Sequence, residues 1–126
     1  MDKEIIATPD APKAVGPYSQ AVKANGFVFT AGQVGLDPAT GKFAGEDLDT
    51  QARQAMRNIK AVLEAAGSSL DKIVKTTIFM VDLGEFKTVN ATYGEFFEGE
   101  PPARSTVQVA ALPLGALVEI EVVALV

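Results

Sequence analysis

The spacing of apolar and polar positions along the chain predicts five strands and two helices. Two apolar runs, residues 19–24 and 27–34, flank Asn25-Gly26, a dipeptide that favours a tight hairpin turn because both residues tolerate positive φ. Residues 35–43 are rich in turn formers and predict a surface loop. Apolar residues then recur at helical spacing and predict a first helix with one apolar face; they are Leu48, Ala52, Ala55, Met56, Ile59, Val62, Leu63 and Ala66.

Capping residues, glycine and proline indicate where the helices begin and end. Asp47 or Asp49 can cap the first helix, and Gly67 is placed to end it. Residues 73–81 are β-branched and aromatic and predict a strand, after which Asp82 can cap a second helix. Pro101-Pro102 stops that helix, and residues 104–112 and 117–126 predict two last strands. The apolar side of the second helix holds Phe86, Val89, Tyr93, Phe96 and Phe97.

This order of elements predicts a single α+β domain over residues 1–126, with two helices packed on one face of a mixed sheet. The strands, however, carry apolar residues on both faces, as Phe27, Val28 and Phe29 do in one of them. Because two helices cover only one face, the other face would be an unusually large exposed apolar surface in a monomer. We therefore expect a homo-oligomer.

The amino-acid composition limits the catalytic groups, ligands and partners that the protein can have. The 126 residues include no His and no Cys, which removes the commonest general base, thiol nucleophiles and the usual zinc ligands. Carboxylates could still hold a hard cation, but no calcium-loop spacing appears, and we expect no metal or cofactor. The net charge of −5 argues against a nucleic-acid partner, whose footprint is a basic patch. No apolar run is long enough to span a membrane and the first residues lack a signal-peptide core, so we expect a soluble, cytoplasmic protein without a membrane partner.

Charged residues interrupt the two last strands. Glu119 and Glu121 share one face of their strand, and Arg104, Thr106 and Gln108 share one face of theirs. Both sets fit a solvated or rim-paired face. Alternatively, Arg104 anchors a small carboxylate through its planar fork while a glutamate orients or deprotonates a water. In a simple hairpin Arg104 and Glu119 would lie roughly 20 Å apart, so a shared site requires other strand pairing or a neighbouring subunit.

Several blocks, in order through nearly the whole chain, carry a resemblance to a known family. The sequence resembles the RidA family, also called YjgF or the reactive-intermediate deaminase family. The blocks are GPYSQAV at 16–22, FTAGQVG at 29–35, QARQAMRNIKAVLEAAG at 51–67, KTTIFMVDL at 75–83, TVNATYGEFF at 88–97, PARSTVQVAALP at 102–113 and VEIEVVAL at 118–125.

The resemblance implies a fold and an activity. It implies a homotrimer with a chorismate-mutase-like fold, a barrel-like core made by three sheets, and clefts between subunits. It also implies hydrolysis of 2-imino acids, such as 2-iminobutanoate and 2-iminopropanoate, to 2-oxo acids and ammonia as metabolite repair. By the same resemblance, Arg104 holds the substrate carboxylate and Glu119 positions the attacking water.

Four further residues match family positions at the cleft. Tyr18 would line it, Gly32 and Thr106 would offer backbone contacts, and Asn90 would lie near it with a less defined role. The sequence departs from many members in having Ala31 for serine and from some in having Thr106 for cysteine, so thiol chemistry is ruled out here. Two other functions stay open: a binding or regulatory protein for 2-oxo acids, and an RNA-acting or chaperone-like protein.

Overall fold

The Asn25-Gly26 turn forms as predicted, with φ of 52° at Asn25 and 83° at Gly26. A computed structural model of the protein describes residues 2–126, so the predicted domain's first residue lies outside the described part. On the two sides of the turn, β2 (Ala21–Ala24) and β3 (Phe27–Thr30) pair antiparallel. This confirms the hairpin.

The sheet differs from the prediction at two places near this hairpin. A short strand, β1 (Glu4–Ile6), pairs antiparallel with β2 and was not predicted, because three residues carry too little pattern to identify a strand. The apolar run 27–34 is not one strand: it breaks after Thr30 and resumes as β4 (Gln33–Val34).

The first helix, α1 (Leu48–Ala65), begins and ends where the sequence predicts. The Asp47 carboxylate accepts a hydrogen bond of 3.0 Å from the Thr50 amide, and Gly67 follows the helix with φ 82°. The predicted apolar face is buried apart from Leu48, which is partly buried against the core. Two polar residues, Gln51 and Asn58, are buried with it.

The second half of the chain forms β5 (Ile73–Met80), α2 (Phe86–Gly94), β6 (Ala103–Gln108) and β7 (Val118–Leu125). The predicted cap Asp82 precedes a single 3-10 turn that leads into α2. The Asp82 carboxylate accepts a hydrogen bond from the Gly84 amide and so caps this turn rather than α2 itself.

The strands form one sheet in the order β1-β2-β3-β7-β5-β6, with β4 beside β7. β5 runs parallel to β6 and antiparallel to β7, so β5 separates the last two strands. The two strands that follow each other in sequence at 103–125 are therefore not a hairpin. β6 is an edge strand.

Both helices lie on one face of the sheet, which confirms the α+β architecture. The opposite face, called the open face below, is uncovered and carries apolar side chains; those most exposed to solvent on it are Ile5, Phe29, Val107 and Leu125. Within residues 2–126, no helix has the length and apolar character needed to cross a membrane.

Candidate active site

Arg104 lies on the helix-covered face at the edge of the sheet. Its register partner on β5 is Thr76, which is fully buried beneath the helices. The Arg104 guanidinium carbon lies 5.4 Å from the ring centroid of Phe86 and 5.1 Å from that of Tyr93, both on α2. Among residues 2–126 no carboxylate forms an ion pair with Arg104, since the ion pairs found there all involve Arg53. The guanidinium is therefore free to bind an anion.

Arg104 borders a cavity of about 480 Å³. Asn90 lines the same cavity, and its side-chain oxygen is buried with no hydrogen-bond partner in the described chain. The Thr106 hydroxyl, two residues along β6 on the same face as Arg104, is also buried and unpartnered there. We call Asn90, Arg104 and Thr106 the arginine half-site. The other residues around the cavity are Tyr93, Gly94, Phe97, Gly99, Pro101 and Pro102.

Glu119 and Gly32 form a second group, the glutamate half-site. Glu119 pairs with Val34 on β4 and Phe79 on β5, which places its side chain on the open face. Gly32 lies in the break between β3 and β4. A Cβ built on Gly32 would come within 2.6 Å of the Glu119 carboxyl carbon, so only glycine leaves the carboxyl this position.

Buried polar side chains of α1 hold the backbone around this half-site. The Gln51 amide group donates to the Gly45 carbonyl and accepts from the Leu117 amide at 2.9 Å, just before β7. Asn58 donates to the carbonyls of Val34 and Leu36. Because these groups are satisfied and buried, they fix β4 and the start of β7 against the helix.

The surroundings of the Glu119 carboxyl change its pKa. Partial burial raises the pKa of Glu119, and the neighbouring charge of Glu121 raises it further. Glu121 lies two residues along the same strand on the same face. Glu119 therefore holds a proton more readily than an ordinary glutamate, which suits a group that exchanges protons with a bound water.

The sequence-predicted residues thus fall into two groups in one chain. Arg104 and Asn90 line one cavity on the helix-covered side, and Thr106 lies on the same face of β6 as Arg104, whereas Glu119 and Gly32 meet on the open face. Tyr18 belongs to neither: it is 51% exposed, and its hydroxyl accepts only a long 3.4 Å hydrogen bond from the Val15 amide.

Phe86 and Tyr93 are the residues at the site that the sequence did not connect with Arg104. Both were placed on the apolar side of α2, but their contact with the guanidinium depends on α2 joining parallel neighbours β5 and β6. The signal available in the sequence was the strand-helix-strand order, which is typical of a crossover between parallel strands.

The fold and these residues define an α+β protein with a cavity at a sheet edge, bordered by an arginine that forms no ion pair within residues 2–126. Residues 8–126 match the family model described as Endoribonuclease L-PSP. Reactive Intermediate Deaminase A, chloroplastic, of Arabidopsis thaliana is 52% identical over 98% of this chain, which spans 66% of that protein. The chain belongs to this family, the RidA/YjgF family.

Two further relatives bear on function. The 2-iminobutanoate/2-iminopropanoate deaminase of Mus musculus is 45% identical over 97% of this chain and 90% of its own length. The crystal structure of E. coli TdcF with bound serine superposes with a TM-score of 0.94 at 44% identity, covering 98% of each chain. Relatives named as deaminases thus support imine deaminase activity at the level of the family.

Proposed function

We propose that this protein hydrolyses 2-imino acids, such as 2-iminobutanoate and 2-iminopropanoate, to 2-oxo acids and ammonia. The observation that carries the proposal is the Arg104 guanidinium at the wall of the cavity, which forms no ion pair within residues 2–126 and shares that wall with the unpartnered side-chain oxygen of Asn90. A guanidinium binds a carboxylate through two parallel hydrogen bonds, which fixes the orientation of a small 2-imino acid.

The proposed imine hydrolysis requires few side chains of the protein. Water adds to the imine carbon, the resulting carbinolamine collapses, and the C–N bond breaks to release ammonia and leave the 2-oxo acid. Arg104 holds the carboxylate, and Glu119 accepts a proton from the attacking water and returns one to the departing nitrogen. Fixing substrate and water together supplies proximity and orientation, which can be worth several kcal/mol.

We also propose that the site is built from two copies of the chain. Arg104 and Glu119 lie on opposite faces of the sheet in one copy, so one chain does not bring them together. The apolar open face, with Val107 42% exposed, supports association through that face. A homotrimer with a cleft between neighbouring subunits, each giving one half-site, satisfies both observations.

The test is an imine-trapping assay. 2-Iminobutanoate and 2-iminopropanoate are generated in place by a threonine/serine dehydratase, with semicarbazide present to capture free imine. Wild type should speed formation of 2-oxo acid and lower semicarbazone yield, while Arg104→Ala, shown to be folded by circular dichroism, should not. Equal rates with wild type, Arg104→Ala and no protein would overturn the proposed activity.

A second function, binding of a small carboxylate without turnover, is favoured by one observation. The related TdcF was solved with bound serine, which is not an imine. Saturable binding of 2-oxobutanoate that needs Arg104, together with no acceleration of imine loss, would select this function over the deaminase.

A further inference from the structure

We infer that Phe86 and Tyr93 are positioning residues that hold the Arg104 guanidinium in the orientation that binds a carboxylate. The inference rests on the proposed role of Arg104 as the carboxylate anchor. It adds two residues of α2 that would set the affinity of the pocket without touching the reacting atoms. We call the pair of rings the aromatic clamp.

The geometry of α2 brings both rings against the side chain of one residue of β6, Arg104. Phe86 and Tyr93 are seven residues apart, two helical turns, and so lie on one face of the helix. Their centroids lie 5.4 Å and 5.1 Å from the Arg104 guanidinium carbon, within the range of cation–π attraction. Both rings therefore attract the same cation.

Tyr93 is itself fixed from two sides. Its hydroxyl donates to the Thr76 hydroxyl at 2.9 Å, and Thr76 is the register partner of Arg104 on β5. The Phe97 ring centroid lies 4.8 Å from that of Tyr93, with an angle of 54° between the ring planes, and both residues line the cavity. Burial raises the pKa of Tyr93, so the hydroxyl stays a neutral donor. The ring is thus a rigid part of the fold.

Aromatic faces suit this task better than a carboxylate would. An acidic partner would occupy the N–H groups that must bind the ligand, whereas a ring attracts the guanidinium through its face and leaves the edge donors free. The absence of an ion pair to Arg104 within residues 2–126 fits this arrangement. A long side chain held in one orientation also loses less entropy when it binds its ligand.

The experiment removes one ring and watches the guanidinium directly. Phe86 is 37% exposed, so Phe86→Leu keeps an apolar side chain at a position that tolerates change. Phe86→Tyr retains an aromatic face, and Phe43→Leu makes the same ring-to-leucine change in a remote loop. The Arg104 Nε–Hε signal is identified in 15N-labelled protein by its loss in Arg104→Lys, and 2-oxobutanoate is the binding probe.

In wild type the ring currents should displace the Arg104 Hε signal from its free value, and Phe86→Leu should bring it back toward that value. The Kd for 2-oxobutanoate should rise about three- to tenfold in Phe86→Leu, as loss of one cation–π contact predicts, while Phe86→Tyr and Phe43→Leu stay near wild type. An Arg104 signal that is unchanged in Phe86→Leu would overturn the clamp.

The two proposals fail in different ways. If wild type binds 2-oxobutanoate through Arg104 but hydrolyses no imine, the deaminase proposal is wrong. The aromatic clamp is then still tested by the Arg104 Hε shift and the Kd for 2-oxobutanoate in Phe86→Leu. If no 2-oxobutanoate binds, the Hε signal alone decides the clamp. If imines are hydrolysed but Phe86→Leu changes neither the signal nor KM, the clamp falls and the deaminase stands.

Discussion

Arg104 and Glu119 point to opposite faces of the same sheet. Arg104 is in register with Thr76 on β5, and Glu119 is in register with Phe79, three residues further along. Successive strand residues alternate between faces, so this odd offset separates the two side chains across the sheet. In the proposed mechanism, a site that uses both groups would therefore join two copies of the chain, and assembly would be a condition for activity.

Arg104→Lys tests whether the planar fork, beyond its charge, is what binds the substrate. Lysine keeps a positive charge but loses bidentate hydrogen bonding and stacks poorly on the aromatic rings. We expect kcat/KM for 2-iminobutanoate to fall about 10- to 100-fold, the size expected for charged hydrogen bonds. The variant should elute as wild type does in size-exclusion chromatography. If Arg104→Lys kept the wild-type kcat/KM, bidentate hydrogen bonding by the guanidinium would not be needed to bind the substrate.

The pH dependence of kcat/KM should respond to Glu121. Burial and the Glu121 charge both raise the pKa of Glu119. In the proposed mechanism, Glu119 must be ionised to accept a proton from water. Activity is therefore lost as pH falls through this raised pKa. Glu121→Gln removes one of the two causes, so the acidic limb of the profile should move to lower pH.

The control for this shift is Glu64→Gln, an exposed glutamate on α1. Lys75, whose register partner on β7 is Val123, two residues from Glu121, lies on the same face and donates to the Ser105 hydroxyl. An acidic limb that stays in place in Glu121→Gln, or that moves to higher pH, would contradict the coupling between the two glutamates.

Gly32→Ala should damage catalysis more than stability. The added Cβ would lie 2.6 Å from the Glu119 carboxyl, a flexible group that can move away. We expect a lower kcat, a nearly unchanged Kd for 2-oxobutanoate and a stability loss of about 1 kcal/mol or less. Urea unfolding and steady-state kinetics measure these quantities.

Gly35→Ala is the matched contrast, because its Cβ would lie 2.5 Å from the backbone carbonyl oxygen of Gln51 in α1. Backbone cannot move aside so easily, and we expect destabilisation of about 1–3 kcal/mol. If Gly32→Ala left kcat at the wild-type value, the packing of Gly32 against Glu119 would have no role in catalysis.

Val107→Asp should break the assembly. Val107 lies on the open face, 42% exposed in the single chain, and an unpaired charge buried in an apolar interface is strongly unfavourable. Sedimentation equilibrium should give a trimer for wild type and smaller species, without deaminase activity, for the variant. Leu83→Asp, at a comparably exposed site before α2, should remain trimeric. Trimeric, active Val107→Asp would exclude this face as the interface.

Local signals in the sequence predicted much of this fold. The Asn25-Gly26 turn, the Asp47 cap and the apolar face of α1 depend on neighbours within a few residues, and each was found. The strand order depends on contacts far apart in sequence, so the separation of β6 from β7 could not be read from either strand. The close packing of Gly32, in the break between β3 and β4, against the Glu119 carboxyl escaped prediction because the two residues are 87 positions apart.

The same limit applies to the site. Arg104 and Glu119 stand out in the sequence because they interrupt apolar strands, and family resemblance pointed to both. The aromatic contacts of Arg104 depend on how α2 crosses from β5 to β6, which only the packed structure provides. The sequence therefore indicates candidate groups for the site, and the topology decides which of them meet.

Complementation between two inactive variants tests the central claim most directly. Arg104→Ala and Glu119→Gln chains carrying different tags are co-expressed, and mixed oligomers are purified through both tags. In any mixed cyclic trimer, one of three clefts joins an intact Arg104 to an intact Glu119 from its neighbour, so about a third of wild-type activity should return. Mixed trimers as inactive as either variant alone would contradict a site shared between two chains.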